Sequence, residues 1–366
     1  MISKIKNGVI YNDDFSKNSL VWTITPQDSS RFNFSSDGLT LKHGENPILV
    51  TMPLHFNEEN KFCATIDFTH KPTIENDIAS VCILADDNEY IECQSYFDSS
   101  KTTEDNYRYI RIIGDNYLYT FYKSNDMITW NEVGNGILEN SNRLGFKLQG
   151  NDTDNSSDFI IKNIQISSDN YVEVRNVNTN INTLTFKDDN SKITEIPYKI
   201  ICNKIIFDVT EIPINVKGTI IGKQNDLMVL NESLDMFGGN IYGRTHDISL
   251  YIDGQLVGNE EVDLGTFIQA DNFIECTLTN ESDEIYLLDK RLSILLYNPL
   301  TKGYKDVNIA LKEMNELDIE NLDYKKQIYI DIIKPNETIY FEMKISKSEN
   351  IVLPFNNKYK FLLSIE

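Results

Sequence analysis

The sequence is short of basic residues, histidine, tryptophan and paired cysteines, and each shortage excludes a class of function. Its 34 lysines and arginines stand against 56 aspartates and glutamates, which gives a formal net charge of -22. The acidic excess is present in both halves of the chain, and it would repel phosphate backbones and anionic lipid. We therefore expect neither nucleic acid nor a membrane as a partner.

The five cysteines are odd in number and contain no CxxC pair, which predicts reduced thiols and no disulfide framework. They are Cys63, Cys82, Cys93, Cys202 and Cys276. The opening MISKIKNGVIYNDDF lacks the apolar run and cleavage site of a signal peptide. No window reaches the roughly 18 apolar residues of a membrane helix. We expect synthesis in a bacterial cytoplasm, with release by lysis if the protein acts outside the cell.

Metal and cofactor motifs are also scarce. The four histidines show no HxH or HExxH spacing, so no zinc site is predicted. The polar loop GNDTDNSSD carries Asp152, Asp154 and Asp158, whose hard oxygens Ca²⁺ would accept. A solvated turn is the favoured interpretation, because Asn, Asp and Ser are ordinary turn residues. We expect no cofactor, with Ca²⁺ as the alternative.

One pentapeptide suggests catalysis. Residues 316–320, ELDIE, resemble the E-x-D-x-E signature of laminarinase-type retaining glycosidases, in which two carboxylates act as nucleophile and acid/base. The pentapeptide lies far in sequence from both tryptophans, whereas the sugar clefts of that family are lined by tryptophan. A chain this acidic produces such a motif easily by chance. We expect no enzyme, and a glycosidase using Glu316 and Glu320 is kept as a rival hypothesis.

A tyrosine-rich stretch, YRYIRIIGDNYLYTFYKSNDMITW, organises the first part of the chain. Alternation over residues 107–113 predicts a strand with something to bury or bind on both faces. Gly114-Asp115-Asn116 predicts a tight hairpin turn. A return strand and a second turn at Ser124-Asn125-Asp126 then lead to Trp130, so the stretch predicts an antiparallel β-meander. Trp22 and Trp130 are expected in the core, Trp130 as the packing residue of the corner.

This meander carries a family resemblance. Its two strands and Ser-x-Asp-x-x-x-Trp corner are similar to the concanavalin A-like (laminin G/lectin-like) jelly-roll sandwiches. The opening strands around Trp22 and SDGLTL, and the closing strands LGFKL and FIIKNIQI, resemble the same family. The family usually has glycine after the corner aspartate, where Met127 stands here. The resemblance covers about the first 170 residues and implies a lectin-type sandwich.

Strand patterns divide the remainder into two smaller units. We predict an all-β chain with a concanavalin A-like sandwich over 1–168, a small β-sandwich over 171–262 and an immunoglobulin-like sandwich over 263–366. The hairpin turning on Asp253-Gly254 is the best type I′ signal. Residues 307–311 alternate in the manner of a strand.

Tyrosine and arginine side chains on the meander suggest carbohydrate binding, because a sugar ring has an apolar face and a rim of hydroxyls. The candidates are Tyr96, Tyr107, Tyr109, Arg111, Tyr117 and Tyr119, with Arg108 beside them. The alternative is that half of these side chains pack in the core and the rest lie on a solvated sheet face.

The domain order resembles that of the lectin-like and Ig-like accessory proteins of phage tails and contractile particles. That resemblance implies a non-enzymatic virion or tail-baseplate part from a low-GC Gram-positive setting. Such a part contacts cell-surface carbohydrate or docks other tail proteins, and it would form a homo-oligomer. A stand-alone carbohydrate-binding module is the first alternative.

Overall fold

The computed structural model describes residues 2–17, 21–54, 61–72, 74, 76–96, 107–150, 157–177, 180–189, 195–213, 216–245, 247–258, 262–267, 271–297, 307–313, 324–347 and 355–365. Every regular element in these ranges is a β-strand, which confirms the predicted all-β class. Within the same ranges, no helix is long and apolar enough to cross a bilayer.

The strands fall into three groups along the chain. The first group is β1 (Ile2–Lys6), β2 (Val9–Asp13), β3 (Thr23–Thr25), β4 (Phe32–Ser35), β5 (Gly38–Leu41), β6 (Ile48–Pro53), β7 (Phe62–Thr69), β8 (Ile78–Leu84), β9 (Tyr90–Tyr96), β10 (Tyr109–Asp115), β11 (Leu118–Ser124), β12 (Asn131–Ile137), β13 (Arg143–Gln149) and β14 (Phe159–Ser167). The second is β15 (Tyr171–Arg175), β16 (Thr183–Asp188), β17 (Tyr198–Ile201), β18 (Lys204–Asp208), β19 (Val216–Gln224), β20 (Leu227–Met236) and β21 (Ile241–Arg244). The third is β22 (Ile248–Ile252), β23 (Gln255–Leu256), β24 (Val262–Phe267), β25 (Asp271–Asn280), β26 (Leu287–Tyr297), β27 (Val307–Glu313), β28 (Ile328–Ile333), β29 (Thr338–Lys347) and β30 (Phe355–Ile365).

The first sandwich consists of two antiparallel sheets over one core. The larger sheet has eight strands in the order β12-β11-β10-β7-β14-β5-β4, with β2 also paired to β14. The smaller sheet has five strands in the order β3-β6-β13-β8-β9. Alternate residues of both sheets, such as Ile110, Ile112 and Phe146, point inward and share one hydrophobic cluster. This is the two-sheet arrangement that the family resemblance implied.

The second and third sandwiches are smaller. The second packs the sheet β1-β21-β15-β18-β17 against β16-β19-β20 around a cluster that includes Val174, Phe207 and Ile220. The third packs the sheet β23-β22-β25-β29-β27 against β24-β30-β26-β28 around Leu278 and Phe341. The strand predicted at residues 307–311 is β27, paired antiparallel to β29.

Strand pairing departs from the predicted domain boundaries at two places. β1 pairs antiparallel with β21, so the N-terminal strand completes a sheet of the second sandwich and not of the first. β22 and β23 pair within the sheet of β25, so they belong to the third sandwich and not to the second. The hairpin between them turns on Asp253 (φ 49°) and Gly254 (φ 72°), as the Asp-Gly signal predicts.

The tyrosine-rich meander forms, with one correction to its turn. Asp115 pairs with Leu118, so the turn residues are Asn116 (φ 49°) and Tyr117 (φ 68°), later in the chain than the predicted Gly114-Asp115-Asn116. At the following corner Met127 has a φ of 62°, which is the left-handed conformation that the family's glycine adopts freely. The backbone N–H of Met127 donates to Ser124 Oγ, and that of Thr129 donates to Asp126 Oδ1; these hydrogen bonds stabilise the corner.

Two predictions about packing residues can be compared with the structure. Four of the five cysteines are buried and all five are free thiols, whereas Cys202 is exposed. Trp22 lies in the core of the first sandwich, as expected. Trp130 is also buried, but its ring lies against the guanidinium of Arg111 outside that core. The prediction of a buried Trp130 that packs in the corner is confirmed, since its Nε1 donates to the carbonyl of Met127 at 3.0 Å.

Candidate functional site

Around Arg111, the outer face of the larger sheet of the first sandwich is covered by the second sandwich. Arg111 on β10 is only 2% exposed. Its guanidinium donates to Thr65 Oγ1 at 2.9 Å and to the carbonyls of Val209 at 3.1 Å, Ile212 at 2.8 Å and Thr210. Burial lowers the pKa of Arg111, an effect that Cys63 and Asp208 oppose. Arg111 is therefore an interdomain anchor, and this explains why both faces of β10 are buried.

The structure does not bring the six predicted sugar-binding residues to one open surface. Tyr119 is fully buried and donates or accepts a hydrogen bond with Ser141 Oγ at 2.5 Å. Tyr109 and Arg111 are also buried, so these three side chains cannot form a binding platform and that part of the prediction is corrected. Tyr117 is in the turn and Tyr107 is half-buried under Lys123. Tyr96 is exposed.

An accessible tyrosine surface is present on the opposite side of the first sandwich. We call it the open tyrosine face, and it consists of Tyr90, Glu92, Gln94, Tyr96 and Lys147 on the outer side of the smaller sheet. The four β9 residues are two positions apart, so all point away from the core that Cys93 enters. Tyr96 is 51% exposed, and the other four side chains are half-buried.

Hydrogen bonds fix the polar groups of the open tyrosine face. Lys147 Nζ donates to Tyr90 Oη at 2.7 Å, and Gln94 Nε2 donates to Glu92 Oε1 at 2.6 Å. Burial opposes the charge of Lys147, but the bond to Tyr90 and the Glu92 carboxylate together raise its pKa. The lysine therefore stays charged at neutral pH. Aromatic rings beside an amide, a carboxylate and an ammonium can contact both the apolar face and the hydroxyl rim of a sugar.

A second arrangement lies at one end of the same sandwich. His43 Nε2 and His70 Nε2 are 2.8 Å and 2.9 Å from the same oxygen, Asp77 Oδ1. All three side chains are buried. Burial acts to raise the pKa of Asp77, but hydrogen bonds from His70 and the Ser157 N–H, with the charges of both histidines, hold it below its usual value. The carboxylate is therefore ionised in the interior.

A polar cleft of about 260 Å³ separates the second and third sandwiches. Arg244 lines it, with Nε 3.4 Å from Glu232 Oε1. Burial lowers the pKa of Arg244, which the nearby Glu232 opposes. Asn280 closes the other side and donates to the carbonyl of Ile285 at 2.8 Å. The cleft is lined by both signs of charge, and its lining suits small polar molecules.

The predicted calcium and glycosidase residues are only partly described. Asp158 is exposed immediately before β14, while Asp152 and Asp154 lie outside the described residues. Glu316 and Glu320 also lie outside them. The calcium alternative and the glycosidase hypothesis therefore stay predictions.

Comparisons with known proteins find no family and only distant structural similarity. The chain matches no protein-family model and no curated protein. Among solved structures, it is similar to the exoplasmic/lumenal domain of VIP36 bound to Ca²⁺ and Man3GlcNAc, at 10% identity over 41% of this chain and 86% of that one, with a TM-score of 0.30. A functionally unknown protein from Saccharomyces cerevisiae matches at 10% identity over 40% and 93%, with a TM-score of 0.29.

The binding domain of botulinum neurotoxin serotype D matches over 97% of both chains, at 10% identity and a TM-score of 0.29. Scores this low transfer neither a detailed fold nor a ligand to this chain. The class of protein therefore follows from its own strand pairing: an all-β chain of three β-sandwiches.

Sequence reasoning missed both the open tyrosine face and the His–Asp–His cluster. The face had a signal in the alternation of Tyr90, Glu92, Gln94 and Tyr96, but which side pointed outward depended on the core. The cluster had none, because His43, His70 and Asp77 occur at spacings that match no metal motif.

Proposed function

We propose that this chain is a non-enzymatic part of a phage or phage-tail-like particle, and that it binds cell-surface polysaccharide through the open tyrosine face. The observation that carries the proposal is the grouping of Tyr90 and Tyr96 with fixed polar groups on the uncovered side of the first sandwich. The particle setting comes from the sequence resemblance described above, and it is part of the proposal.

Charge narrows the class of polysaccharide. The chain carries a net charge of -22, which disfavours polymers rich in phosphate or carboxylate. A neutral polysaccharide contacts tyrosine rings through its apolar faces and meets Gln94 and Lys147 through its hydroxyls. We therefore propose a neutral wall polysaccharide of a low-GC Gram-positive bacterium as the ligand, with no metal required for binding at this face.

The attachment of the first sandwich to the second also supports the open tyrosine face as the binding surface. Arg111 and the crossing strand β1 attach the first sandwich to the second, so the open tyrosine face points away from that junction. These contacts leave the open tyrosine face on the side of the first sandwich away from the second, where a ligand outside a larger particle could reach it.

Co-sedimentation of the purified chain with bacterial cell walls tests the proposal. Binding is expected to intact walls and to be lost after the wall polysaccharides are stripped. Tyr96→Ala and Tyr90→Ala are expected to weaken binding about tenfold each, since one stacked aromatic contributes about 1–1.5 kcal/mol. Tyr340→Ala is the matched control, because Tyr340 is 59% exposed on the third sandwich.

Two results would contradict the proposal. Absence of binding to any wall at micromolar protein would refute polysaccharide binding. Wall binding that is unchanged by Tyr90→Ala and Tyr96→Ala would exclude the open tyrosine face as the contact surface.

A second function, docking to another copy of the chain, is favoured by edge strand β12. This strand pairs only with β11 among the described residues, and its Val133 and Ile137 are 44% and 72% exposed. An unpaired edge with exposed apolar side chains is a template for strand addition. Light scattering should show an oligomer that Val133→Lys with Ile137→Lys dissociates, and a monomeric wild type would refute this function.

A further inference from the structure

Two histidines and an aspartate meet at one end of the first sandwich although the sequence separates them. His43 follows β5, His70 directly follows β7, and Asp77 immediately precedes β8. These strand ends lie together, and Ser157, two residues before β14, lies in the same place. The side chains of the two histidines and the aspartate are 0–1% exposed.

The donor atoms converge on one point. Both Nε2 atoms contact Asp77 Oδ1, and the candidate ligand atoms all lie within 4.8 Å of one another. The carbonyl oxygen of Ser157 is 3.0 Å from His43 Nε2, so it can serve as a fourth donor. Two imidazole nitrogens, one carboxylate oxygen and one carbonyl oxygen are therefore linked by contacts of 2.8–3.0 Å in one buried cluster.

The burial of this cluster and the chemistry of its side chains suit a metal ion. A buried carboxylate is costly unless it is paired or coordinates a metal. Among the described residues, the ion-pair partners of Asp77 are the two histidines, and no lysine or arginine contacts it. Hydrogen bonding alone also leaves the network incomplete, because the buried His43 Nδ1 has no partner among the described residues.

We propose that His43, His70 and Asp77 bind a divalent transition-metal ion, Zn²⁺, which links the ends of β5 and β7 to the start of β8. Zinc accepts neutral imidazole and carboxylate in a four-coordinate set, whereas Ca²⁺ requires six to eight oxygens. With bonds of about 2.0–2.1 Å, tetrahedral ligand atoms stand about 3.4 Å apart, so the side chains separate by about half an ångström on binding. His70 Nδ1 is 3.1 Å from Ser95 Oγ, the outer hydrogen bond that orients a metal-bound imidazole.

Isothermal titration of the metal-free full chain with Zn²⁺ tests this site, with Ca²⁺ as the comparison ion. We expect one Zn²⁺ per chain, a rise in the unfolding temperature, and no matching effect of Ca²⁺. Replacing Zn²⁺ by Co²⁺ should give the visible absorption bands of a four-coordinate site. His43→Gln and His70→Gln should each weaken Zn²⁺ binding at least tenfold and remove the Co²⁺ bands.

The two remaining histidines provide the matched controls. His55→Gln and His246→Gln should leave both the stoichiometry and the Co²⁺ bands unchanged. Ser95→Ala keeps every ligand and should weaken Zn²⁺ binding by about tenfold, the usual effect of losing an outer hydrogen bond.

Either of two results would overturn the proposal. The first is a wild-type chain that binds no Zn²⁺ at micromolar concentration and shows no Co²⁺ bands. This measurement uses the wild-type chain alone, so it does not depend on whether a variant folds. The second is Zn²⁺ binding that survives in His43→Gln and His70→Gln but is lost in His55→Gln or His246→Gln, which would place the ion elsewhere. Wall binding by the open tyrosine face is a separate measurement, so its outcome does not decide this one.

Discussion

Replacing Arg111 by leucine tests whether this residue anchors the first sandwich to the second. The guanidinium makes four hydrogen bonds, three of them to carbonyls of the segment that follows β18. Its carbon Cζ also lies 4.1 Å from the centre of the Trp130 ring, within the range of a cation–π contact. Leucine keeps some apolar contact with that ring but offers no donor.

The expected loss of stability follows from two opposing contributions. Hydrogen bonds from a charged donor contribute about 1.5–3 kcal/mol each, so four of them correspond to roughly 6–12 kcal/mol. Removing a buried charge regains several kcal/mol of desolvation free energy. The carbonyls of Val209, Thr210 and Ile212 are left without this donor. We expect a net loss of about 3–5 kcal/mol in the free energy of unfolding.

Tryptophan fluorescence can locate this loss, since the chain has only Trp22 and Trp130. In a Trp22→Phe background the emission reports on Trp130 alone, which lies against the guanidinium of Arg111. Urea titration of Arg111→Leu in this background should show a red shift of Trp130 emission at lower urea than in the parent. Far-UV circular dichroism should retain the strand signal at that urea concentration.

Arg108→Leu is the matched control because it removes the same charge from a neighbouring position. Arg108 pairs with Asp67 at 3.0 Å, but its side chain is 53% exposed. An exposed ion pair contributes at most about 1 kcal/mol. Equal losses from the two variants, or a loss below about 1 kcal/mol for Arg111→Leu, would refute the anchoring role.

Three further predictions concern other parts of the fold. Gly8→Ala should destabilise the chain by about 1–3 kcal/mol, because a Cβ there would lie 2.0 Å from the Gly238 carbonyl oxygen. Gly134→Ala is the control and should not destabilise the chain, because no atom lies within 4 Å of a Cβ at that position. Equal melting temperatures of the two variants would contradict this prediction. In the native chain only the thiol of Cys202 should react with a disulfide reagent, because the other four thiols are buried. In denaturant all five thiols should react. Rapid reaction of more than one thiol in the native chain would contradict this burial. Burial would raise the pKa of Glu173, but the bonds from Arg175 and Lys204 lower it overall, so its contribution to stability is present above the unfolded pKa and is lost as pH falls through the folded pKa. Glu173→Gln should therefore reduce the slope of stability against pH in the acid range, and unchanged acid unfolding would contradict that assignment.

Much of the first sandwich could be predicted from local pattern. Alternation identified the strands around Tyr109, and the Asp-Gly pair at residue 253 identified a type I′ hairpin, because these signals depend on neighbouring residues alone. The meander turn was displaced from the predicted position because Asn116 and Tyr117 both adopt positive φ, which tyrosine seldom does. The register of the two paired strands therefore determines the position of the turn, although tyrosine by itself disfavours a positive φ.

The predicted binding surface shows the limit of such reasoning. Tyr109, Arg111 and Tyr119 have the right chemistry for sugar binding, but each is buried. A strand with two filled faces gives no local sign of whether its second face meets solvent or another domain. In this chain Tyr119 packs in the core of the first sandwich, whereas Arg111 lies on the other face, where carbonyls of the second sandwich cover it.

The sequence by itself determined the all-β class, the reduced cysteines and most strands, because side-chain alternation and turn chemistry are properties of short segments. Only the tertiary structure decided that β1 joins the second sandwich and that Arg111 is an anchor. It alone also brought His43, His70 and Asp77 together and left the open tyrosine face uncovered. The physical reason is that these features depend on contacts between residues far apart in the chain, and such contacts are fixed by sheet order and domain packing.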